Sequence, residues 1–230
     1  MSFFLNLNYS HTLCPNGCKL FNDNKNYSYW EKKEVTSDEK DILIFINKKQ
    51  NFLNNKILHV GVGSSYLAKN LNKNFLIEGI SISNNEIQNA NKLKKDNYNC
   101  YFQNKYSNEN ILDSKKNLFS IIIDVNLKSY SCCDVAFNKL IERYKRILLS
   151  GGMIITSKAG MNWSRIVKPV LSFSFKKFIY RRLKEFDGPL RNILNLDDIS
   201  KIAINNDFSL ENIDNKIIIL KKINEKNSNF

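Results

Sequence analysis

A short glycine-bearing segment between a buried strand and a helix is the part of the sequence best suited to bind a ligand. It runs from His59 to Ser65, with glycines at positions 61 and 63. Gly61 permits a tight turn, and Gly63 lets a ligand approach the backbone where a side chain would otherwise stand. Ser64 and Ser65 open the following helix, whose first N–H groups can donate to an acceptor. The segment therefore predicts a ligand site lined by backbone.

Two common nucleotide sites are disfavoured by the same segment. A dinucleotide fingerprint needs a third glycine at position 66, for close packing of helix on strand, and the residue there is Tyr66. A phosphate-binding P-loop needs Gly-Lys-Ser or Gly-Lys-Thr after its spacer, and neither follows. Two glycines alone are a weak signal, so the surrounding elements decide how the segment is interpreted.

Strands and helices alternate from residue 56 onward. The predicted strands cover 56–60, 75–82, 99–103, 118–125, 153–157, 208–213 and 216–220. The predicted helices cover 38–51, 64–72, 84–95, 135–149 and 196–205. This alternation predicts a Rossmann-like, doubly wound α/β sheet with helices on both faces, preceded by an N-terminal helical cap. A turn at Asp214-Asn215 predicts a closing hairpin, which makes the last strand antiparallel.

Three local signals predict where helices begin and end. Ser37 is the predicted N-cap of the first helix. Ser83 and Glu86 form the pattern of a capping box at the start of the helix over 84–95. The glycine pair at 151 and 152 is predicted to end the helix before it.

Four stretches together resemble the class I S-adenosylmethionine-dependent methyltransferases, in order and in spacing. They are Ile57–Ala68, Ile77–Ser83, Leu118–Asp124 and Tyr144–Ile155. The resemblance covers roughly residues 56–221. It implies a seven-stranded sheet with the last strand antiparallel, and S-adenosylmethionine lying across the strand ends. It also implies methyl transfer, here to a small or medium polar molecule.

The resemblance assigns the cofactor to residues at the ends of the first, second and fourth strands and after the third. They are His59, Gly61, Val62, Gly63, Ser64, Ser65, Ser81, Ile82, Asn104 and Asp124. Asp124 is also the candidate catalytic residue, with a helix-capping or loop-solvating acid as the equal alternative. Methyl transfer requires chiefly alignment of the reactants, and no nucleophilic triad is evident.

Two positions depart from the pattern of these methyltransferases. An acid usually stands before the first glycine, where this chain has His59. Another acid usually grips the ribose hydroxyls from the end of the second strand, where this chain has Ser81. Loss of that acid could cost about 1–3 kcal/mol of binding. Glu78 is expected on the opposite face of its strand, so it is not a substitute. A protein that binds the cofactor without catalysis is therefore the alternative function. For His59, a buried histidine that is hydrogen-bonded to neighbouring backbone is favoured over a catalytic base.

Residues 1–55 are interpreted as a cap or lid over the cofactor mouth. His11, Tyr29 and Trp30 are its candidate substrate contacts. Aromatic side chains there could contact the sulfonium through cation–π interactions. Packing within the cap is the favoured explanation of the aromatic residues.

Residues 56–230 are interpreted as the methyltransferase domain, with a basic and aromatic insertion at 160–191. Arg181 and Arg182 in this insertion, together with Asn126, are further candidate substrate residues. A lid over an anionic substrate and an ordinary helix pair explain the insertion equally well. An amphipathic helix that lies on a membrane or on a nucleic-acid backbone is a less favoured alternative.

The net charge of +13, from 35 Lys+Arg against 22 Asp+Glu, would attract nucleic acid or anionic lipid. The lysines are scattered along the chain, which favours a general compositional bias. A small-molecule substrate is therefore favoured, and a nucleic-acid methyltransferase stays as a further alternative. The oligomeric state is not predicted.

The remaining compositional features favour a globular cytoplasmic protein. A hydrophobic fraction of 43% excludes a wholly disordered chain. No apolar run approaches the roughly 20 residues of a membrane helix, and the N-terminus lacks the pattern of a signal peptide. His11, Cys14 and Cys18 lack a second ligand pair at zinc spacing, so no metal is expected.

Overall fold

The computed structural model describes residues 34–49, 52–108, 110–131, 133–161 and 194–223. Within these ranges the strands are β1 (Lys56–Val60), β2 (Leu76–Ser81), β3 (Tyr98–Phe102), β4 (Phe119–Asp124), β5 (Leu148–Ser157), β6 (Phe208–Ile213) and β7 (Ile217–Lys222). They form one seven-stranded sheet in the order β3-β2-β1-β4-β5-β7-β6. The first five strands are parallel, and β7 is antiparallel to both of its neighbours. The predicted sheet with an antiparallel last strand is confirmed.

Helices cover both faces of the sheet, as a doubly wound fold requires. They are α1 (Ser37–Lys48), α2 (Tyr66–Asn70), α3 (Asn84–Lys92), α4 (Asp134–Ile147), α5 (Lys158–Met161) and α6 (Leu196–Asn205). Apolar residues of α1, α2 and α3 join one buried cluster, and those of α4 and α6 join the other. All six residues of β4 are buried because the strand lies between these two layers.

The first described helix begins one residue earlier than the sequence predicts. Thr36, not Ser37, is its N-cap, and its hydroxyl accepts from the N–H of Glu39 at 3.2 Å. The Glu39 carboxylate accepts in return from the N–H of Thr36 at 2.9 Å. This reciprocal capping box satisfies two N–H groups, whereas a cap at Ser37 would leave Glu39 out of register.

The glycine pair at 151 and 152 does not end a helix, as the sequence predicts, but lies inside β5. The helix α4 already ends at Ile147, and β5 begins at Leu148. The pairing of β4 with β5 shifts register between Phe119 and Ile121. Gly151 has a φ of +74°, a left-handed value that glycine adopts without strain. The glycines therefore permit an irregularity at the start of a strand.

The closing hairpin has the predicted turn. Asp214 and Asn215 have φ values of +50° and +55°, and Lys216 N–H donates to the Ile213 carbonyl at 3.0 Å. Asp and Asn tolerate this left-handed conformation better than most residues. The turn places β7 between β5 and β6, where all but one of its residues are buried.

Candidate functional site

The order of strands reverses between β1 and β4, and the carboxyl ends of β1, β2 and β4 meet there. β1 pairs with β2 on one side and with β4 on the other. Val60, Ser81 and Asp124 end these strands. Ligands of open α/β sheets bind outside the strand ends at such a switch point.

The segment after β1 forms a tight loop built on left-handed residues. Gly61, Gly63 and Ser65 have φ values of +76°, +52° and +61°. Gly61 N–H donates to the carbonyl of Ile80 at 2.8 Å, and Ser65 N–H donates to the carbonyl of Val62 at 2.7 Å. A Cβ at Gly61 would meet no described atom within 4 Å. The loop is therefore fixed to β2 and leaves space beside its first glycine.

The loop rests on Gly79 of β2. A Cβ at this glycine would lie 2.6 Å from Cγ1 of Val62 and 2.6 Å from Sγ of Cys100. Both distances are too short for real contacts, so only glycine admits the Val62 side chain at this position. Ser65 completes the attachment, because its hydroxyl lies 3.2 Å from the buried hydroxyl of Tyr98.

A carboxylate that the sequence analysis assigned only to a helix cap lies against this loop. Glu86 accepts from the N–H of Gly63 at 3.0 Å and from the hydroxyl of Ser81 at 2.6 Å. Both bonds end on Oε2. The Ser81 hydroxyl oxygen in turn accepts from the N–H of Ser83 at 3.1 Å. This bond replaces the one from Ser83 N–H to the Glu86 carboxylate that the capping box predicts. The second hydrogen bond of the predicted capping box is present, since Glu86 N–H donates to the Ser83 hydroxyl at 3.4 Å.

The N-terminal end of α1 lies against the same loop. The hydroxyl of Ser64 donates to the carbonyl of Glu34. Glu39, in the first turn of α1, is only 3% exposed. Burial raises the pKa of the Glu39 carboxyl, and the charge of Glu86 adds to the increase. Segment 34–39 therefore brings a second carboxylate close to the first.

His59 lies one residue before the end of β1 and is 1% exposed. Among the described residues, neither of its ring nitrogens has a hydrogen-bond partner. Burial lowers the pKa of its imidazole from 6.5 to about 4, so the ring is neutral at pH 7. The side chain is buried, as predicted, but the predicted hydrogen bonds to the neighbouring backbone are absent from the described part of the chain.

Asp124 ends β4 in a buried cluster with Lys105 and Tyr144. Its Oδ2 atom accepts from Lys105 Nζ at 2.7 Å and from the Tyr144 hydroxyl at 2.9 Å. Lys105 Nζ also donates to the carbonyls of Asn126 and Leu127 at 3.1 and 3.0 Å. Burial raises the pKa of the Asp124 carboxyl, and Lys105 opposes the increase. The cluster fixes the loop after β4 to the segment after β3.

Comparison with known sequences finds no match: no protein-family model and no curated protein matches this chain. Comparison with solved structures does find matches. The N-methyltransferase NodS from Bradyrhizobium japonicum, in complex with S-adenosyl-L-homocysteine, is 12% identical. The TM-score is 0.54, over 88% of this chain and 100% of NodS.

Two further solved structures share the architecture. The YcgJ protein from Bacillus subtilis has a TM-score of 0.53 at 14% identity, over 76% of this chain and 70% of YcgJ. A SAM-dependent methyltransferase from Methanosarcina mazei has a TM-score of 0.52 at 14% identity. That match covers 79% of this chain and 98% of the other. The chain has the class I methyltransferase fold.

Within this methyltransferase fold, the residues predicted to bind a cofactor gather at one edge of the sheet. The glycine loop, Ser81 and Asp124 follow or end adjacent strands. Ile82 is half-buried directly after Ser81. Asn104 follows β3, is 8% exposed, and accepts through Oδ1 from the N–H of Tyr106 at 2.9 Å. That these residues bind a cofactor stays a prediction.

Of the predicted substrate residues, only Asn126 lies in the described part of the chain. Asn126 is half-buried after β4, and its carbonyl also accepts from the N–H of Ser129 at 2.8 Å. The other predicted substrate residues lie outside the described residues. They are His11, Tyr29, Trp30, Arg181 and Arg182.

Glu86 and Lys105 are the two functional candidates that sequence reasoning missed. Glu86 follows Gly63 by 23 residues. The acid that doubly wound sheets often place about 20 residues after the glycine turn would fall at Ser81, which is 20 residues after Gly61, so this spacing gives no signal for Glu86. No local pattern points to Lys105, because its partner Asp124 is 19 residues further along the chain.

The described part of the chain contains neither a candidate metal centre nor a helix that could span a membrane. No group of three or more His, Cys, Asp or Glu side chains could hold a metal ion there. No helix in these ranges is long and apolar enough to cross a membrane.

Proposed function

We propose that the protein is an S-adenosylmethionine-dependent methyltransferase that acts on a small or medium polar molecule. The observation that carries the proposal is the glycine loop after β1, which lies at the switch point of a class I methyltransferase fold. NodS, which has the same fold, is described in complex with S-adenosyl-L-homocysteine.

The residues at this edge of the sheet fit such a cofactor. The space beside Gly61 admits a ligand close to backbone. Glu86 offers a carboxylate to hydroxyl or ammonium groups. The neutral imidazole of His59, whose ring nitrogens have no hydrogen-bond partner among the described residues, offers one donor and one acceptor. We propose that these residues, with Ser64, Ser65, Ile82 and Asn104, hold the cofactor.

When bound, S-adenosylmethionine supplies an activated methyl group on a sulfonium. The protein's own contribution is then to align the acceptor and exclude water. Asp124 is held by Lys105 and Tyr144 through one oxygen, which fixes the direction of its carboxylate. The catalytic role of Asp124 stays a prediction. Its rigid attachment suits positioning of the loop that contains Asn126 at least as well.

The acceptor atom is not assigned, because proteins with this fold differ in it. NodS is described as an N-methyltransferase and CurJ, at a TM-score of 0.51 and 13% identity, as a carbon methyltransferase. The match covers 53% of CurJ.

Isothermal titration of the full chain with S-adenosylmethionine and S-adenosylhomocysteine tests the cofactor. We expect dissociation constants below about 1 mM, which correspond to more than about 4 kcal/mol of binding free energy. Absence of binding by both ligands at millimolar concentration would overturn the proposal.

Methyl-labelled S-adenosylmethionine separates an enzyme from a protein that only binds the cofactor. Incubation of the full chain with a small-molecule extract should transfer label to an extract component. Tight binding of S-adenosylhomocysteine without any label transfer would favour the non-catalytic alternative instead.

Salt dependence separates a small-molecule substrate from nucleic acid. A nucleic-acid methyltransferase should bind RNA or DNA with an affinity that falls steeply as salt rises, because counterions are released on binding. We expect weak binding of both nucleic acids in about 150 mM salt. Submicromolar binding with a steep salt slope would move the substrate assignment to nucleic acid.

A further inference from the structure

We propose that the edge of the sheet opposite the candidate site is a docking surface for an anionic lipid membrane. The inference goes beyond the proposed function and does not depend on the cofactor. Its basis is a separation of charge between the two edges of the sheet. In a doubly wound fold the helices run antiparallel to the parallel strands, so each connecting helix ends where the next strand begins.

Lysines gather where the first four strands begin. The segments concerned are 48–49 and 52–56 around the start of β1, 69–75 before β2, 92–97 before β3 and 115–118 before β4. Together they contain ten lysines and a single acid, Asp96. The ten lysines define the basic edge: Lys48, Lys49, Lys56, Lys69, Lys73, Lys92, Lys94, Lys95, Lys115 and Lys116.

Hydrogen bonds join these segments into one surface. Lys95 Nζ donates to the carbonyl of Lys69 at 3.1 Å, which connects the segments before β3 and β2. Leu76 N–H donates to the carbonyl of Asn55 at 2.8 Å, which connects the segments before β2 and β1. Lysines that are scattered along the sequence are thus brought together by the fold.

The edge that bears the candidate site has the opposite charge. Its segments are 34–39, 61–65, 82–86, 103–106, 124–131 and 133–134. They contain two lysines, and both are paired with acids. They contain six acids: Glu34, Asp38, Glu39, Glu86, Asp124 and Asp134. An anionic surface therefore attracts the basic edge and repels the site edge, which orients the protein with its site away from that surface.

Most lysines of the basic edge are uncompensated. Among the described residues, only Lys115 of the ten forms an ion pair, with Glu78. The three cations near the end of α4 differ, because each pairs with an aspartate. A lysine in the last turn offsets the helix dipole, which accounts for Lys69. Lys73 and Lys94 follow their helices, and Lys94 has a φ of +48°, where glycine or asparagine is usual.

Exposed aliphatic side chains among these lysines favour a membrane over a nucleic acid. Leu53 is 62% exposed, and Leu76, which pairs in register with Lys56, is 51% exposed. Lysines beside aliphatic side chains suit the headgroup region of an anionic bilayer. A single-stranded nucleic acid would instead stack on exposed aromatic rings. The large aromatic residues exposed in the described part of the chain are Tyr101 and Phe102, at the carboxyl end of β3 near the site edge.

Co-sedimentation of the full chain with lipid vesicles tests the proposal. The vesicles consist of phosphatidylcholine alone or of phosphatidylcholine with about 30% phosphatidylserine. We expect binding to the anionic vesicles only, and a loss of at least about tenfold in affinity between about 50 and 300 mM salt. Equal binding to both vesicle types, or binding to neither, would overturn the proposal.

Two triple variants separate the basic edge from the net charge. The first removes three cations of the edge: Lys69→Gln, Lys73→Gln and Lys94→Asn. It should weaken binding to the anionic vesicles about tenfold to a hundredfold, since each lysine near such a surface contributes about fivefold. The matched control removes three exposed lysines of α1, α4 and α6: Lys40→Gln, Lys139→Gln and Lys201→Gln. The control should lose less than about threefold. Equal losses would show that net charge alone decides binding, and the inference would be overturned.

A double variant without any change of charge separates lipid from nucleic acid. Leu53→Ser with Leu76→Thr should weaken binding to the anionic vesicles about threefold to tenfold, because less apolar area enters the bilayer. Unchanged vesicle binding in this variant would overturn the lipid assignment. Submicromolar binding of oligouridine by the full chain would then assign the basic edge to nucleic acid.

Discussion

Lys105 Nζ lies 2.7 Å from Oδ2 of Asp124, with 7% and 3% of the two side chains exposed, at the end of the central strand β4. The ammonium group also meets two carbonyls of the loop that follows, and the Tyr144 hydroxyl shares the same carboxylate oxygen. A buried charge without its partner is costly. Loss of the Lys105–Asp124 pair should therefore both destabilise the protein and release the loop after β4, which borders the site.

Asp124→Asn should destabilise the protein by about 3–5 kcal/mol, because it leaves the Lys105 ammonium buried without a counter-charge. Urea unfolding at pH 7 measures the change. Adding Lys105→Met to this variant should recover part of the loss, since the unpaired charge is then removed.

Asp207→Asn is the matched control, because Asp207 pairs with Lys145 in an exposed position. Asparagine also tolerates the φ of +55° at this residue. This control should cost less than about 1 kcal/mol. Equal losses of unfolding free energy in the two Asp→Asn variants would show that the buried pair contributes no more to stability than the exposed one.

Gly79→Ala should destabilise the protein by about 1–3 kcal/mol through overpacking. The new methyl group would overlap Val62 of the glycine loop and Cys100 of β3. Urea unfolding should show a smaller cost of the same substitution in a Val62→Ala, Cys100→Ala background, where space has been made. A cost independent of the background would mean that steric overlap is not the cause.

Gly63→Val should abolish binding of S-adenosylhomocysteine and lower stability by about 1–2 kcal/mol. The φ of +52° at this residue strains a β-branched side chain, and Gly63 is where a ligand is predicted to approach the backbone. Titration calorimetry and urea unfolding measure the two effects.

Gly63→Asn separates these effects, because asparagine tolerates left-handed backbone. It should keep most of the stability and still lose at least tenfold in affinity. Unchanged affinity in both variants would show that the site has been misplaced.

The sheet was predictable because a strand that is buried on both faces consists almost entirely of apolar residues. β4 consists of buried residues throughout, and α4 repeats apolar residues at helical spacing, so their types follow from composition and period. The wrong predictions are local ones. The glycine pair at 151 and 152 reads as a helix stop, but the pairing of β5 with β4 overrides that signal.

The site was predictable only where backbone conformation decides it. The glycines at 61 and 63 mark the loop because few other residues accept its φ values. Glu86 and Lys105 contact residues 23 and 19 positions away, through side chains whose direction depends on tertiary packing. A capping pattern explained Glu86 locally, which hid its contact with the loop.

His59 should make the protein less stable as the pH falls below its ordinary pKa. Burial lowers the pKa of the folded imidazole to about 4, against 6.5 for the exposed group. Between these values the unfolded chain binds more protons than the folded one, so stability is complete above pH 6.5 and decreases toward pH 4. The contribution from His59 should fall by about 2 kcal/mol between pH 7 and pH 5.

The measurement is the free energy of unfolding in urea at several pH values, for the wild type and for His59→Leu. Carboxylates contribute equally to both proteins, so the difference between the two curves isolates the imidazole. His11→Gln, at the other histidine of the chain, measures separately what that residue contributes to the pH dependence. Parallel curves for the wild type and His59→Leu would mean that His59 is charged or solvated in the folded protein. A ligand that bonds the ring would change this dependence too, so repeating the series with S-adenosylhomocysteine tests whether His59 faces the proposed site.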